Sequence, residues 1–101
     1  MTLMIAGSHT IDKYDIEPYI PKNTTRILCG DGDGIATIAK RFADDHGIPW
    51  GTFSPTSLHP IATRADQILI IWDGVSPNTR RIIDLAKQAQ KPLALIFHMK
   101  Y

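Results

Sequence analysis

Four short segments of the chain are almost continuously apolar: residues 3–6 (Leu-Met-Ile-Ala), 26–29 (Arg-Ile-Leu-Cys), 67–72 (Gln-Ile-Leu-Ile-Ile-Trp) and 93–97 (Leu-Ala-Leu-Ile-Phe). Strands of an antiparallel sheet with one wet face alternate apolar and polar residues, whereas strands covered on both faces read as unbroken runs. The four runs therefore predict buried strands of a parallel sheet. A weaker fifth candidate spans residues 49–53, where Pro49 and Gly51 suit an edge position.

Between these runs the apolar period changes. From residue 34 to 46, Ile35, Ile38, Ala39, Phe42 and Ala43 recur at i, i+3, i+4, i+7 and i+8, one stripe of a 3.6-residue helix. Lys40, Arg41, Asp44 and Asp45 take the outer face, and Gly47 is the expected stop. A second helix is predicted over residues 77–90, with Ser76 as N-cap, Pro77 at the first position, and Ile82, Ile83, Leu85, Ala86 and Ala89 inward. Residues 11–20 hold at most a short helix cut by Pro18 and Pro21, and residues 54–64, with Pro55 and Pro60, read as a loop. Strands alternating with helical crossovers predict a three-layer α/β domain over residues 1–101, with a five-stranded, mainly parallel sheet in the order 3-2-1-4-5. The first and fourth strands then lie side by side. Ligands of such sheets bind beyond the C-terminal strand ends, at that switch point.

The composition is that of a globular protein, with 44% hydrophobic and 21% charged residues among 101. Eleven basic against ten acidic side chains give a net charge of +1, so there is no electrostatic case for nucleic acid or an anionic membrane. A single cysteine, Cys29, forms no internal disulfide and points to a cytoplasmic location. No basic leader precedes a long apolar run, and no stretch has the roughly 18 apolar residues of a spanning helix, so neither a signal peptide nor a membrane partner is expected. A chain this short buries a modest fraction of its surface, which favours a homo-oligomer.

Three segments rich in glycine and small polar residues follow the strands: Gly7-Ser8-His9-Thr10, Gly30-Asp31-Gly32-Asp33-Gly34 and Asp73-Gly74-Val75-Ser76. Glycine lets backbone N–H groups approach a ligand, and a helix starting near Gly34 aims its positive end at the same place. A phosphate or carboxylate suits that environment; the same glycines also suit tight strand-to-helix turns. The spacing matches neither the dinucleotide fingerprint G-x-G-x-x-G nor a P-loop, which needs Gly-Lys-Ser/Thr. Asp31 and Asp33 resemble the start of a calcium loop, but Phe42 stands where its glutamate belongs. They fit ribose hydroxyls, base edges or a cation, or equally a solvated turn. None of His9, His46, His59 and His98 has a metal-ligand spacing with another His or Cys, so no metal or cofactor is expected. His9 alone lies at the proposed site, as a donor to phosphate or as an exposed turn residue. Cys29 reads as a buried structural thiol; Trp72 and Trp50 could each stack on a base, although Trp72, ending an apolar strand, fits the core better.

Taken together, these segments resemble the SLOG superfamily, the Rossmann-like group that includes the DNA-uptake protein Smf/DprA and the LOG phosphoribohydrolases, and most closely its small bacterial and phage members. Gly7-Ser8-His9 matches their Gly-Ser-Arg. Residues 29–39 fill the register of S-G-G-A-R-G-A-D-x-x-A, closed by Gly47-Ile48-Pro49. Ala65-Asp66, Trp72-Asp73-Gly74, residues 76–79 and Lys91-Pro92 match the later motifs. The chain has His9 for the family arginine, Asp31 for a glycine, Asp33 for the turn arginine and Ala36 for the acidic helix residue. It also lacks the glutamate that LOG enzymes use.

The resemblance implies a Rossmann-like fold and binding of a nucleotide or nucleotide-derived molecule, for sensing, delivery or sequestration. Gly7, Ser8, Gly30, Gly32, Gly34 and Thr37 would form the cradle, Asp33, Asp73 and Gly74 would meet hydroxyls, and His9 would lie over the anion. The alternatives are a nucleoside or nucleotide N-glycosidase using Asp31, Asp33 or Asp73, and a ligand-free interaction or DNA-processing accessory.

Overall fold

A computed structural model of the chain describes residues 1–30, 32, 34–53 and 64–98. Its five strands are β1 (Thr2–Gly7), β2 (Arg26–Gly30), β3 (Trp50–Phe53), β4 (Gln67–Trp72) and β5 (Leu93–Phe97), and its two α-helices are α1 (Ile35–Asp45) and α2 (Pro77–Gln88). The sheet order is β3-β2-β1-β4-β5, and every neighbouring pair is parallel. This is the predicted order, with the mixed character narrowed to an all-parallel sheet, and it is the architecture of a small Rossmann-like α/β fold.

The apolar runs are continuous because each strand feeds two cores. Leu3 and Ile5 of β1 join Ile27, Cys29, Leu69 and Ile71 under Ile35, Ala39 and Ala43 of α1. Met4 and Ala6 face the other way and join Leu28, Ile68, Ile70 and Phe53 with Ile83 and Ala86 of α2. α1 packs over β1 and β2, and α2 over β4 and β1. Ala36 is also buried, which the predicted stripe omits.

The connection from β1 to β2 is the least regular part of the described chain. Its only helix is a 3-10 turn, Glu17–Tyr19, with Pro18 inside it. Ile11 and Ile16 nevertheless reach the α1-side core and are almost fully buried. They substitute for the apolar stripe of a crossover helix. The end of α1 follows its sequence signals, with Gly47 at φ 64° just beyond the C-cap His46. The loop predicted for residues 54–64, including His59, lies outside the described residues up to residue 63.

The edge strands differ. Trp50 of β3 donates from Nε1 to Asp44 at 2.9 Å and lies under the Lys40 ammonium at 5.6 Å, so α1 holds this ring from above. Lys40 and Asp44, expected only to face solvent, are what fix it. None of the five β5 side chains is buried, and Phe97 is largely exposed. Among the described residues no helix is long and apolar enough to cross a membrane.

Candidate functional site

Strand register decides what meets at the C-terminal edge. Gly7 pairs with Ile71, and the Ser8 N–H continues that ladder to the Ile71 carbonyl at 3.0 Å. Two residues beyond Ile71, just past the end of β4, stands Asp73, whose N–H donates to Ser8 Oγ at 3.0 Å. Ser8 is fully buried, and its hydroxyl also lies 3.4 Å from Thr79 Oγ1 in the first turn of α2. Parallel pairing thus turns two motifs 65 residues apart into one contact.

Asp73 is the centre of this network. Its Oδ1 accepts the N–H groups of Val75 at 2.9 Å and Ser76 at 2.8 Å. Its Oδ2 accepts the hydroxyls of Ser76 and Thr10, each at 2.7 Å. Burial alone would push this carboxyl up, but the bonds from Ser76, Thr10 and the Val75 and Ser76 amides together outweigh it. They hold Asp73 well below the usual carboxylate range. The hydroxyls that Asp73 meets are therefore the chain's own. A carboxyl held this firmly as an anion has no proton to donate at neutral pH, so it does not suit a general acid.

This geometry corrects one capping expectation. Ser76 does stand at the N-cap of α2, but its side chain makes no capping bond. The hydroxyl turns back to Asp73 instead, because a charged acceptor three residues earlier is the stronger partner. Trp72 is half-buried rather than fully in the core: its Nε1 donates to the Ser76 carbonyl at 3.0 Å, and its ring packs against Phe97.

The glycines separate into two groups. A Cβ on Gly7 would lie 2.5 Å from the Ile71 carbonyl oxygen and 2.6 Å from Ile35 Cβ. Gly34 has φ 71°, and a Cβ there would lie 2.4 Å from the Ser8 carbonyl oxygen. Both are filled by protein, so they seat α1 and β4 against the β1 turn and leave no space for a ligand. The same carbonyl accepts the Ile35 N–H at 3.3 Å, tying the start of α1 to that turn. By contrast, Gly32 and Gly74 have nothing within 4 Å of an added Cβ, and Gly30 meets only Ala36 at 3.6 Å.

Of the residues expected to form the site, those that face outward at this edge are Gly30, Gly32, the half-buried Thr37 in the first turn of α1, the exposed His9, and Gly74. Asp31 and Asp33 lie outside the described residues. Cys29 is fully buried; burial pushes its thiol up, and Sγ lies 3.6 Å from the Gly51 carbonyl, a structural setting and not a reactive one. His46 and His98 stand away from the edge, His46 against the Phe42 carbonyl and His98 edge-on to Tyr14. No group of three His, Cys, Asp or Glu side chains among the described residues is placed to hold a metal.

Thr10 and Thr79 were given no role by sequence reasoning. Small hydroxyl residues carry no pattern of their own, and only the β1–β4 register brings them to Asp73 and Ser8. Comparison with protein-family models, curated proteins and solved structures gives no match.

Proposed function

We propose that the C-terminal edge of this sheet binds a nucleotide or nucleotide-derived small molecule, as a SLOG-like domain would, for sensing, delivery or sequestration. One observation carries the reading: two helices on opposite faces of the sheet both begin at this edge, α1 after β2 and α2 after β4, on either side of the β1 turn. The positive end of α1 favours an anion there, while that of α2 already faces the Asp73 carboxylate. Gly32 and Gly74 leave backbone open to close approach, while His9 and Thr37 offer polar side chains beside it.

In this reading Ser8, Asp73 and Thr79 are the frame and not the contact surface. Their network fixes the β1 turn against the start of α2, so the outward groups are held before a ligand arrives, and that lowers the ordering cost of binding. Binding without turnover is supported by Asp73, whose carboxylate is engaged by four donors of the chain itself. A cytoplasmic location and self-association belong to the same reading.

Gly32→Glu tests the cradle. The position is open, so the variant is expected to fold with an unchanged thermal midpoint. Its carboxylate should abolish calorimetric binding of adenosine and guanosine mono- and triphosphates. Wild-type affinity in the variant would sink the cradle.

A further inference from the structure

We infer that the opposite end of the sheet carries a second anion site, a cleft for a small phosphorylated molecule between Arg26 and Arg64. The cleft has a volume of about 260 Å³, and the described residues lining it are Thr2, Arg26, Leu28, Gly51, Thr52 and Arg64. Thr2 and Arg26 are the first residues of β1 and β2 and are paired in register. Six residues of extended chain separate Thr2 from Ser8, roughly 20 Å, so one nucleotide at the C-terminal edge does not reach this cleft.

The fold explains the opening. On that face α2 packs over β4 and β1. Leu28 pairs with Gly51, and the missing side chain at Gly51 leaves space above the sheet. A Cβ there would lie 3.6 Å from Leu28 Cδ2 and 3.8 Å from Arg26 Nη2. One Arg26 guanidinium nitrogen thus lies over the Gly51 position, although the residue as a whole is exposed.

Charge makes it an anion site. Among the described residues, neither Arg26 nor Arg64 has an ion-pair or hydrogen-bond partner; the only ion pair there is His46 with Glu17. One carboxylate stands beside the cleft as well, Asp66, whose Oδ2 accepts the N–H of the lining residue Thr2 at 2.8 Å, so two guanidiniums face one acid there. Two unpaired guanidiniums beside one cleft match a dianion, and their planar forks suit phosphate oxygens. A phosphate monoester carries close to two negative charges at neutral pH, and the volume suits a compact molecule.

The test is an amide NMR titration of the whole chain with inorganic pyrophosphate, with succinate as a dicarboxylate control. Saturable shifts are expected at Thr2, Leu28, Gly51 and Thr52, with pyrophosphate bound more tightly than succinate. Arg26→Gln and Arg64→Gln, both at exposed positions, should keep the wild-type spectrum and weaken pyrophosphate about tenfold or more each. Gly51→Val should fill the cleft and give the same loss. Shifts confined to residues 30–37 and 73–76, equal affinity in both arginine variants, or preference for succinate would each overturn the proposal; the first of these would leave the C-terminal edge as the anion site.

Discussion

Asp73→Ala is expected to cost about 3–5 kcal/mol of folding stability, because it strands four donors that now share one carboxylate. In a chain of this length that is a large share of the total, about 5–15 kcal/mol, and amounts to a fall in thermal midpoint of roughly 15–30 °C. Asp73→Asn should be milder, about 1–2 kcal/mol, since it keeps one carbonyl oxygen and the Thr10 and Ser76 hydroxyls can rotate to accept. The acid dependence gives a second handle. The folded carboxyl lies below its unfolded value, so its contribution is complete above the unfolded pKa of about 3.9 and is lost as pH falls from there toward the folded value. Urea melts from pH 6 down should show wild type losing stability below about pH 4 more steeply than Asp73→Asn. Parallel curves would mean the carboxylate is not the keystone of this edge.

Gly7→Ala is the second large effect. The new Cβ would meet the Ile71 carbonyl oxygen, which already accepts the Ser8 N–H, and the Ile35 side chain at the start of α1. Neither is a flexible chain end. A loss of about 3 kcal/mol or more is expected, at the upper end for overpacking because β4 or α1 must shift. Gly32→Ala, in the same set of glycine turns, should stay within about 0.5 kcal/mol. Thermal melts of the two variants side by side decide between packing glycines and open ones, and equal losses would contradict the division.

That contrast shows where the sequence stops being informative. β4 was legible because burial on both faces leaves a continuous apolar run, and residues 67–72 coincide with it; residues 93–97 coincide with β5 but misled on burial, since at the sheet edge none of its side chains is buried. α1 was legible because its stripe is regular and Gly47 ends it. Gly7, Gly32 and Gly34 look alike as letters, yet one closes β1 against β4, one is open and one lies on the β1 turn. Only the fold distinguishes them. Asp73 was legible as a residue of the right edge and not as its occupant, because its partner Thr10 is 63 residues away. The Asp73–Ser76 spacing did carry a local signal, an Asp side chain turning back to amides two and three residues on, which reads as a turn and not as a free helix cap. The irregular stretch after β1 hid Ile11 and Ile16 for a similar reason, since two isolated apolar residues have no period.

The proposed nucleotide site at the C-terminal strand edge can be tested with a thermal-shift panel of nucleotides on wild type, Gly32→Glu and Arg26→Gln, joined to native mass spectrometry of gently purified protein. A ligand at 100 times its Kd stabilises the native state by about 2.7 kcal/mol, a rise of roughly 10 °C or more in a chain of this size. The account predicts such a rise for at least one nucleotide, retained in Arg26→Gln, erased in Gly32→Glu, and matched by an intact adduct of that mass. No shift with any nucleotide and no adduct, or a shift that Gly32→Glu leaves untouched, would contradict it.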